Sequence, residues 1–591
     1  MKKIKIQIDN REVEVDEGTT ILKAAEKLNI HIPTLCHHED LCIAGNCRVC
    51  VVEVEGANLL SASCATPVME GMKIHTNSMK VRNTRRTILD MLLSEHAGEC
   101  TSCTRSGNCE LQTLAGYYAS PDNALLDISI KSKPDTSSPS ITKDDSKCIR
   151  CQRCVRTCEE IQKVGALSMS GKGEHAKVST FFELPLNTVI CTNCGQCVTR
   201  CPTGALVERS YIDEVWDALS NPDVHTVVQT APAVRVGLGE ALGHDPGGRF
   251  TGKMVSALRN LGFDAVFDTN FTADLTIIEE GSELLARLTN VLTGDKSAQL
   301  PMFTSCSPGW IKFIEHRWPH LLGHLSTCKS PQQMFGPLAK TRYPEATGVN
   351  PQKICSISIM PCTAKKFEAD RPEMRASGFK DVDYVLTTRE LAKMIKQAGI
   401  DFDALEESEC DSMLGKHTGA AVIFGATGGV MEAAIRTVYE LVTGRQVPFE
   451  NLNITPVRGM EGIREATLKI EGTVEKYRFL EGVEVKVAIA HGLINADKLM
   501  EAVNGGNAPW HFIEVMACPG GCLSGGGQPI PTSPDIRAAR ANAIYEEDAS
   551  LLLRKSHENP EITKLYEEFL VDGPLGHTSH HLLHTHYTPR P

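Results

Sequence analysis

Residues 148–158 read CIRCQRCVRTC, and residues 191–202 read CTNCGQCVTRCP. Each run spaces its cysteines C-x2-C-x2-C-x3-C, and proline follows the last cysteine of the second run, whereas Glu159 takes that place in the first. Three thiolates on a tight loop with a fourth just beyond is the pattern of paired [4Fe–4S] cubanes, in which the fourth cysteine of each run crosses to the other cluster. The spacing therefore predicts that Cys148, Cys151, Cys154 and Cys201 hold one cubane. Cys191, Cys194, Cys197 and Cys158 hold the other. Glu159 in place of proline alters a turn and leaves the ligand set intact.

Working outward, a second group lies upstream as Cys36-x10-Cys47-x2-Cys50-x13-Cys64. Its loop, CIAGNCRVC (42–50), has a glycine that permits tight backbone turns. IKIQIDN and VEVDEG before it predict a hairpin, and TILKAAEKLNI a short helix. A cysteine quartet also suits zinc, but this setting favours iron, and the group resembles a plant-type [2Fe–2S] ferredoxin domain with a longer first gap. Cys42 lies inside the loop but outside the quartet. Between these groups stands HAGECTSCTRSGNC (96–109), with His96, Cys100, Cys103 and Cys109. Three cysteines leave a cubane one ligand short. His96, placed one helical turn before Cys100, can point the same way. The spacing resembles the His-ligated [4Fe–4S] domain shared by complex I-type subunits and iron-only hydrogenases.

The rest of the composition agrees. The chain has 591 residues, too many for one core. Of its 23 cysteines, 16 precede residue 210. In a reducing cytoplasm such a density means metal ligands, whereas a disulfide scaffold belongs to small secreted domains. A net charge of −12 argues against nucleic acid as a partner. No apolar run is long enough to span a bilayer. MKKIKIQIDN alternates like a strand and lacks the apolar core of a signal peptide. We expect a cytoplasmic protein without a membrane span.

After residue 210 the cysteines thin out. HTVVQTAPAV, KICSISIMPC and VEVKVAIAHG read as buried strands, alternating with helical patterns such as TTRELAKMIKQAG, as in α/β folds. VGLGEALG (236–243) has GxGxxxG spacing rather than a dinucleotide fingerprint, and there is no P-loop, so nicotinamide or flavin binding by this chain is not expected. Three segments set cysteines beside proline and glycine: TSCSPGW (304–310), MPCTAKKFEAD (360–370) and MACPGGCLSGGGQP (516–529). Thiolates from three distant loops suit a buried cluster, although each cysteine alone is more commonly structural.

Together these loops resemble the signature loops of the [FeFe]-hydrogenases, and the likeness runs through essentially the whole chain. It implies an active site of one [4Fe–4S] cluster bridged by a cysteine to a diiron unit carrying CO, cyanide and a dithiolate amine. It further implies that Cys362, Cys518 and Cys522 are cubane ligands, with Cys522 bridging, and that Lys365 holds a cyanide. Ala231, Pro232, Pro331, Gln332, Phe424 and Gly425 would surround the diiron unit, with Met360 and Met516 packed on it. Protons would travel by Cys306, Glu280, Ser326, Glu283 and Arg287. Glu280 and Glu283 stand at i and i+3 on one helical face, a spacing that by itself reads as a solvated face. The family's first loop reads TSCCPGW, and here Ser307 replaces the second cysteine. Cys306 falls in the relay slot and Ser307 in the ligand slot, unless Cys306 is drawn in as the ligand. Cys328 has no role on this reading.

The expected fold class is α+β and α/β, multidomain. Its parts are a plant-type ferredoxin domain (1–77), a His/Cys3 cluster domain (78–135), a two-cluster ferredoxin domain (136–210), a two-lobed α/β iron-only hydrogenase domain (211–530) and a helical, small-subunit-like tail (531–591). The tail ends in HTSHHLLHTH (577–586), which is read as packing, with metal binding as the sharper alternative. The cofactors implied are one [2Fe–2S], three accessory [4Fe–4S] clusters and the catalytic cluster. The resemblance is to the catalytic subunit of NAD(P)-linked, electron-bifurcating enzymes, whose partners are a flavoprotein NAD(P)-binding subunit, a small iron–sulfur subunit and ferredoxin. Alternatives are a ferredoxin-dependent hydrogenase, the hydrogenase subunit of a hydrogen-dependent CO₂ reductase, a hydrogen sensor, and a non-catalytic complex I-like electron wire.

Overall fold

Alternation in KIKIQI turns Ile4, Ile6 and Ile8 inward, and in the computed structural model this segment is the strand Lys3–Ile8. Residues 2–120, 125, 129, 132–294 and 299–591 are described; part of the interval expected to close the second domain, 121–131, lies outside them. Lys3–Ile8 pairs antiparallel with Arg11–Asp16, as the hairpin reading requires, in a five-stranded sheet. The helix Ile21–Glu26 follows, its first turn capped by Thr20. One expectation fails in its reasoning. The helix Met79–Glu95 ends before His96, which is its extended C-cap, so His96 and Cys100 do not share a helical turn.

The two cysteine runs lie beside a small sheet of Ile141–Lys143 and Leu206–Glu208. Ion pairs bridge these modules. Arg153 donates to Glu110 at 2.6 and 2.9 Å, and Arg200 donates to Asp40 at 2.7 Å.

The large domain holds two four-stranded sheets. In one, Ala265–Asp268, His225–Thr230, Ile354–Met360 and Tyr384–Thr387 are all parallel. In the other, Met302–Phe303, Phe512–Met516 and Glu484–His491 are parallel, and Ile463–Lys469 closes the edge antiparallel. The strands expected from the apolar runs are all present. Each of the three signature loops leaves the C-terminal end of a parallel strand, where α/β sheets place their crevices. Glu280 and Glu283 stand on the helix Thr269–Leu292, and both are buried, so this face is not solvated.

The tail forms helices Pro534–Ser550, Pro560–Glu568 and His577–Leu583. Asp548 anchors it: both carboxylate oxygens accept from the fully buried Arg436 at 2.9 Å. Among the described residues no helix is long and apolar enough to cross a membrane.

Candidate active site and its electron and proton routes

Each front-end ligand group gathers at one place. Cys148, Cys151, Cys154 and Cys201 line one cavity, and Cys158, Cys191, Cys194 and Cys197 line another. Three residues of each set come from one run and the fourth from the other. Burial pushes Cys151 and Cys158 up to about 12 and Cys148 and Cys194 up to about 11. Thiols this hard to ionise become thiolates only beside strong positive charge, which an iron cluster supplies.

His96 lines a third cavity with Cys100, Cys103 and Cys109. Its Nδ1 is buried and unpartnered, an arrangement that fits a metal-ligating imidazole. In the N-terminal domain Cys50 and Cys64 approach to 3.4 Å between sulfurs. Cys36 is drawn down to about 5 by a hydrogen bond from the Cys47 thiol. Cys42 turns away, its sulfur 2.8 Å from Glu160 Oε1.

A central cavity lies where the three signature loops meet. Its wall includes Cys306, Ser307, Cys362, Cys518 and Cys522 from the three signature loops. Ala231, Pro232, Pro331, Gln332, Met360, Lys365, Phe424, Gly425 and Met516 complete most of the lining. Burial raises all four thiols, Cys362 to about 12. Free thiols on an enclosed, largely apolar wall, with one lysine, fit a bulky metal cluster with anionic ligands. Gln332 Oε1, buried and unpartnered, belongs to the same lining.

Lys365 is positioned by its neighbours. Its ammonium donates to Glu368 Oε2 at 2.8 Å and to the Cys306 carbonyl at 3.1 Å. Glu368 also accepts from Ser330 at 2.9 Å and from Gln332 at 3.1 Å, so one carboxylate ties two lining segments together. Sequence reasoning passed over Glu368, though its place three residues after Lys365 in one helix was a usable signal. It also passed over Thr269 and Ala273, which line the cavity from the start of the long helix.

Ser307 Oγ accepts from the Ala517 backbone at 3.2 Å, beside Cys518. Cys306 lies within the field of Glu280, which, after burial, is the largest influence raising its thiol. Glu280 itself is pushed up to about 8, by burial first and by Glu283 second. Beyond it Ser326 donates to Glu283 Oε2 at 3.0 Å, and Arg287 donates to Glu283 Oε1 at 2.6 Å. Arg287 is half-buried and also donates to the Leu325 carbonyl at 2.7 Å. Ser326, Glu283 and Arg287 thus form a hydrogen-bonded run, with Glu280 beside Ser326.

Cys194 lines both the central cavity and the nearest ferredoxin-type cavity. The chains there pack backbone to backbone. A Cβ on Gly526 would stand 2.6 Å from the Cys194 carbonyl, and one on Gly195 2.9 Å from the Gly526 Cα.

Residues 224–526 match the family described as "Iron only hydrogenase large subunit, C-terminal domain", and residues 534–590 match "Iron hydrogenase small subunit". Residues 1–79 match a 2Fe–2S iron–sulfur cluster binding domain. Residues 85–123 match the NADH-ubiquinone oxidoreductase-G iron–sulfur binding region, and 138–207 match the ferredoxin-like domain of NADH-quinone oxidoreductase subunit 3. The chain is 51% identical to the NADP-reducing hydrogenase subunit HndD of Solidesulfovibrio fructosivorans over 100% of both chains. It is 41% identical to iron hydrogenase 1 of Clostridium pasteurianum, covering 98% of this chain and 99% of that one. A structure of the [FeFe]-hydrogenase HydA1 from Chlamydomonas reinhardtii superposes with a TM-score of 0.58 at 43% identity, over 64% of this chain and 99% of that chain.

Proposed function

The chain belongs to the iron-only, or [FeFe], hydrogenase family and is a hydrogenase with iron–sulfur electron-transfer domains, and on that premise we propose that it is the hydrogen-activating subunit of an NADP-linked, electron-bifurcating complex. One observation carries the catalytic part. Three cysteine loops from the ends of two sheets converge, with Lys365, on a cavity that shares Cys194 with a ferredoxin-type cavity.

The group this cavity suits supplies, when bound, the interconversion of H₂ with two protons and two electrons. Cys362, Cys518 and Cys522 would hold its cubane, Cys522 as the ligand shared with the diiron unit. Ser307 offers its oxygen where the family has a fourth thiolate, which leaves Cys306 free as the proton relay. Lys365, set by Glu368, presents its ammonium to an anionic ligand. Met360, Met516, Phe424, Pro232 and Pro331 exclude water. Glu280, whose charge acts on Cys306, exchanges a proton with it; Ser326 passes it to Glu283, which hands it to solvent while Arg287 holds the carboxylate in place.

Electrons enter and leave by the Cys191–Cys197 loop. One [2Fe–2S] and three [4Fe–4S] clusters form the route, over domains divided at about residues 77, 135, 210 and 530. Dehydrogenase-type modules, without a dinucleotide fingerprint on this chain, support a separate flavoprotein that binds NADP, a small iron–sulfur subunit and ferredoxin as a second carrier, in the cytoplasm. The alternative is a hydrogenase that uses ferredoxin alone. Two measurements test the reading. Infrared spectra of anaerobically matured protein are expected to show CO and cyanide stretches that shift under H₂; their absence, with accessory iron bound, would reduce the chain to an electron wire. Purification of the native complex is expected to yield a flavin-bearing partner. Isolation as a monomer active with ferredoxin alone would favour the alternative.

A further inference from the structure

Cys328 takes no part in the proposed mechanism, and the histidine-rich tail packs on the long helix. The two meet at Glu283. One ligand atom each from Glu283, Cys328 and His584 lie within 4.8 Å of one another, and all three residues are more than nine-tenths buried. They come from three elements: the long helix, the segment after the first signature loop, and the end of the tail. The bridge that joins Cys328 to His584 along the backbone fixes their approach.

The imidazole is oriented for a ligand. Its Nε2 is 3.2 Å from Glu279 Oε2, which holds the proton on that nitrogen and leaves Nδ1 as the acceptor. Nδ1 accepts from the Thr327 hydroxyl at 2.8 Å, and the same oxygen stands 3.2 Å from Glu283 Oε2, so a cation bound at Nδ1 takes the place of that hydroxyl. A carboxylate behind a histidine, fixing its tautomer, is the outer shell that metal-binding histidines use. Glu279 is itself steadied by Tyr566 at 2.5 Å and the Leu575 backbone at 2.9 Å. The Cys328 sulfur lies 3.9 Å from Glu283 Oε2. A small cavity lined by Cys328, Thr585 and Tyr587 lies beside the thiol.

We infer that Glu283, Cys328 and His584 form a binding site for a soft divalent cation such as Zn²⁺, placed so that occupancy closes the proton route. Sulfur, imidazole and carboxylate form a mixed donor set suited to Zn²⁺. Tetrahedral ligands at about 2.0–2.3 Å stand about 3.5 Å apart, so the three side chains need to close by about 1 Å. Binding forms the metal–sulfur bond and releases the thiol proton; no electron moves. One thiolate and one carboxylate then balance the dication, and Glu283 Oε1 keeps Arg287. Glu283 Oε2, taken by the metal, no longer accepts from Ser326.

The site itself does not depend on the hydrogenase reading; its effect on turnover does. The test adds Zn²⁺ to the matured holoenzyme and records zinc-edge X-ray absorption and H₂ oxidation together, for the native chain, Cys328→Ser and Glu279→Gln. The expected shell has one sulfur and two or three nitrogen or oxygen ligands, with iron content unchanged. Cys328→Ser should remove the sulfur. Glu279→Gln should weaken inhibition about 10–100-fold. A shell of nitrogen and oxygen alone, from the exposed tail histidines, would overturn the site. So would a sulfur that survives Cys328→Ser. Turnover indifferent to bound zinc would overturn the brake, whereas an enzyme inactive before zinc is added would instead fail the hydrogenase reading.

Discussion

Glu280 shows how burial sets a residue's work. Its carboxyl rises from the ordinary 4.5 to about 8 because desolvation and Glu283 both oppose its charge. Between those values the native state holds a proton that the unfolded chain has lost. This group's contribution to stability therefore falls as pH rises through that window and is level above about 8. In function, Glu280 keeps a proton to give at neutral pH. H₂ evolution by the native enzyme is expected to decline as pH passes about 8. Glu280→Gln cannot exchange the proton and should lose about 10²-fold or more in rate, with infrared bands of the cofactor retained. Equal rates would remove Glu280 from the route. Ser307→Ala tests the first loop. Loss of the oxygen ligand is expected to give a three-iron cluster by electron paramagnetic resonance, and an unaltered four-iron spectrum would return the ligand role to Cys306.

At the scale of elements, strand ends and helix starts do the positioning. The helix Thr388–Gln397 opens with a capping box, in which Thr387 and Glu390 satisfy each other's backbone N–H groups. Glu390 also accepts from the buried Lys366 at 2.9 Å, so the cap is tied to the helix that carries Lys365. Thr387→Ala is expected to cost about 1 kcal/mol, read as a lower denaturation midpoint. Glu514, on the strand before Cys518, accepts from the Gly428 and Met431 backbones at 2.6 and 2.7 Å. It joins the FGATGGV loop to the third cysteine loop. Glu514→Ala would leave two buried N–H groups unpaired at about 1–3 kcal/mol each. The measurable consequence is lower cofactor retention than in Glu514→Gln, and equal retention in the two variants would dismiss this joint.

For the whole molecule, the tail is part of the catalytic domain's core. Arg436 is fully buried between Glu432 and Asp548, and Arg554 also donates to Asp548 Oδ2 at 2.6 Å. Asp548→Ala would leave Arg436 without that partner, and breaking a buried pair costs about 3–5 kcal/mol. Limited proteolysis should then release the tail, whereas the native chain resists. The N-terminal modules meet the tail as well. Asp40, near the first cysteine loop, accepts from both Arg200 and Arg537. The electron route and the catalytic domain are thereby held in one register.

The sequence by itself determined the ligand groups, because cluster geometry demands cysteines at fixed short spacings and few other needs produce them. It also grouped the cysteines of the two runs, four to each cavity, in advance of any fold, and marked the strand-ending loops that carry Cys306, Cys362 and Cys518. Only the tertiary structure decided the rest. Local spacing placed His96 on a helical turn, but the helix ends at Glu95, and His96 reaches its cysteines through an extended cap. Periodicity gave Glu280 and Glu283 a solvated face, but the packing of Ser326, Arg287 and the tail around that helix buries them. The meeting of Glu283, Cys328 and His584 spans about 300 residues of chain and leaves no mark on any local pattern. Short-range covalent spacing is written in the sequence; burial and long-range proximity exist only after the chain has folded onto itself.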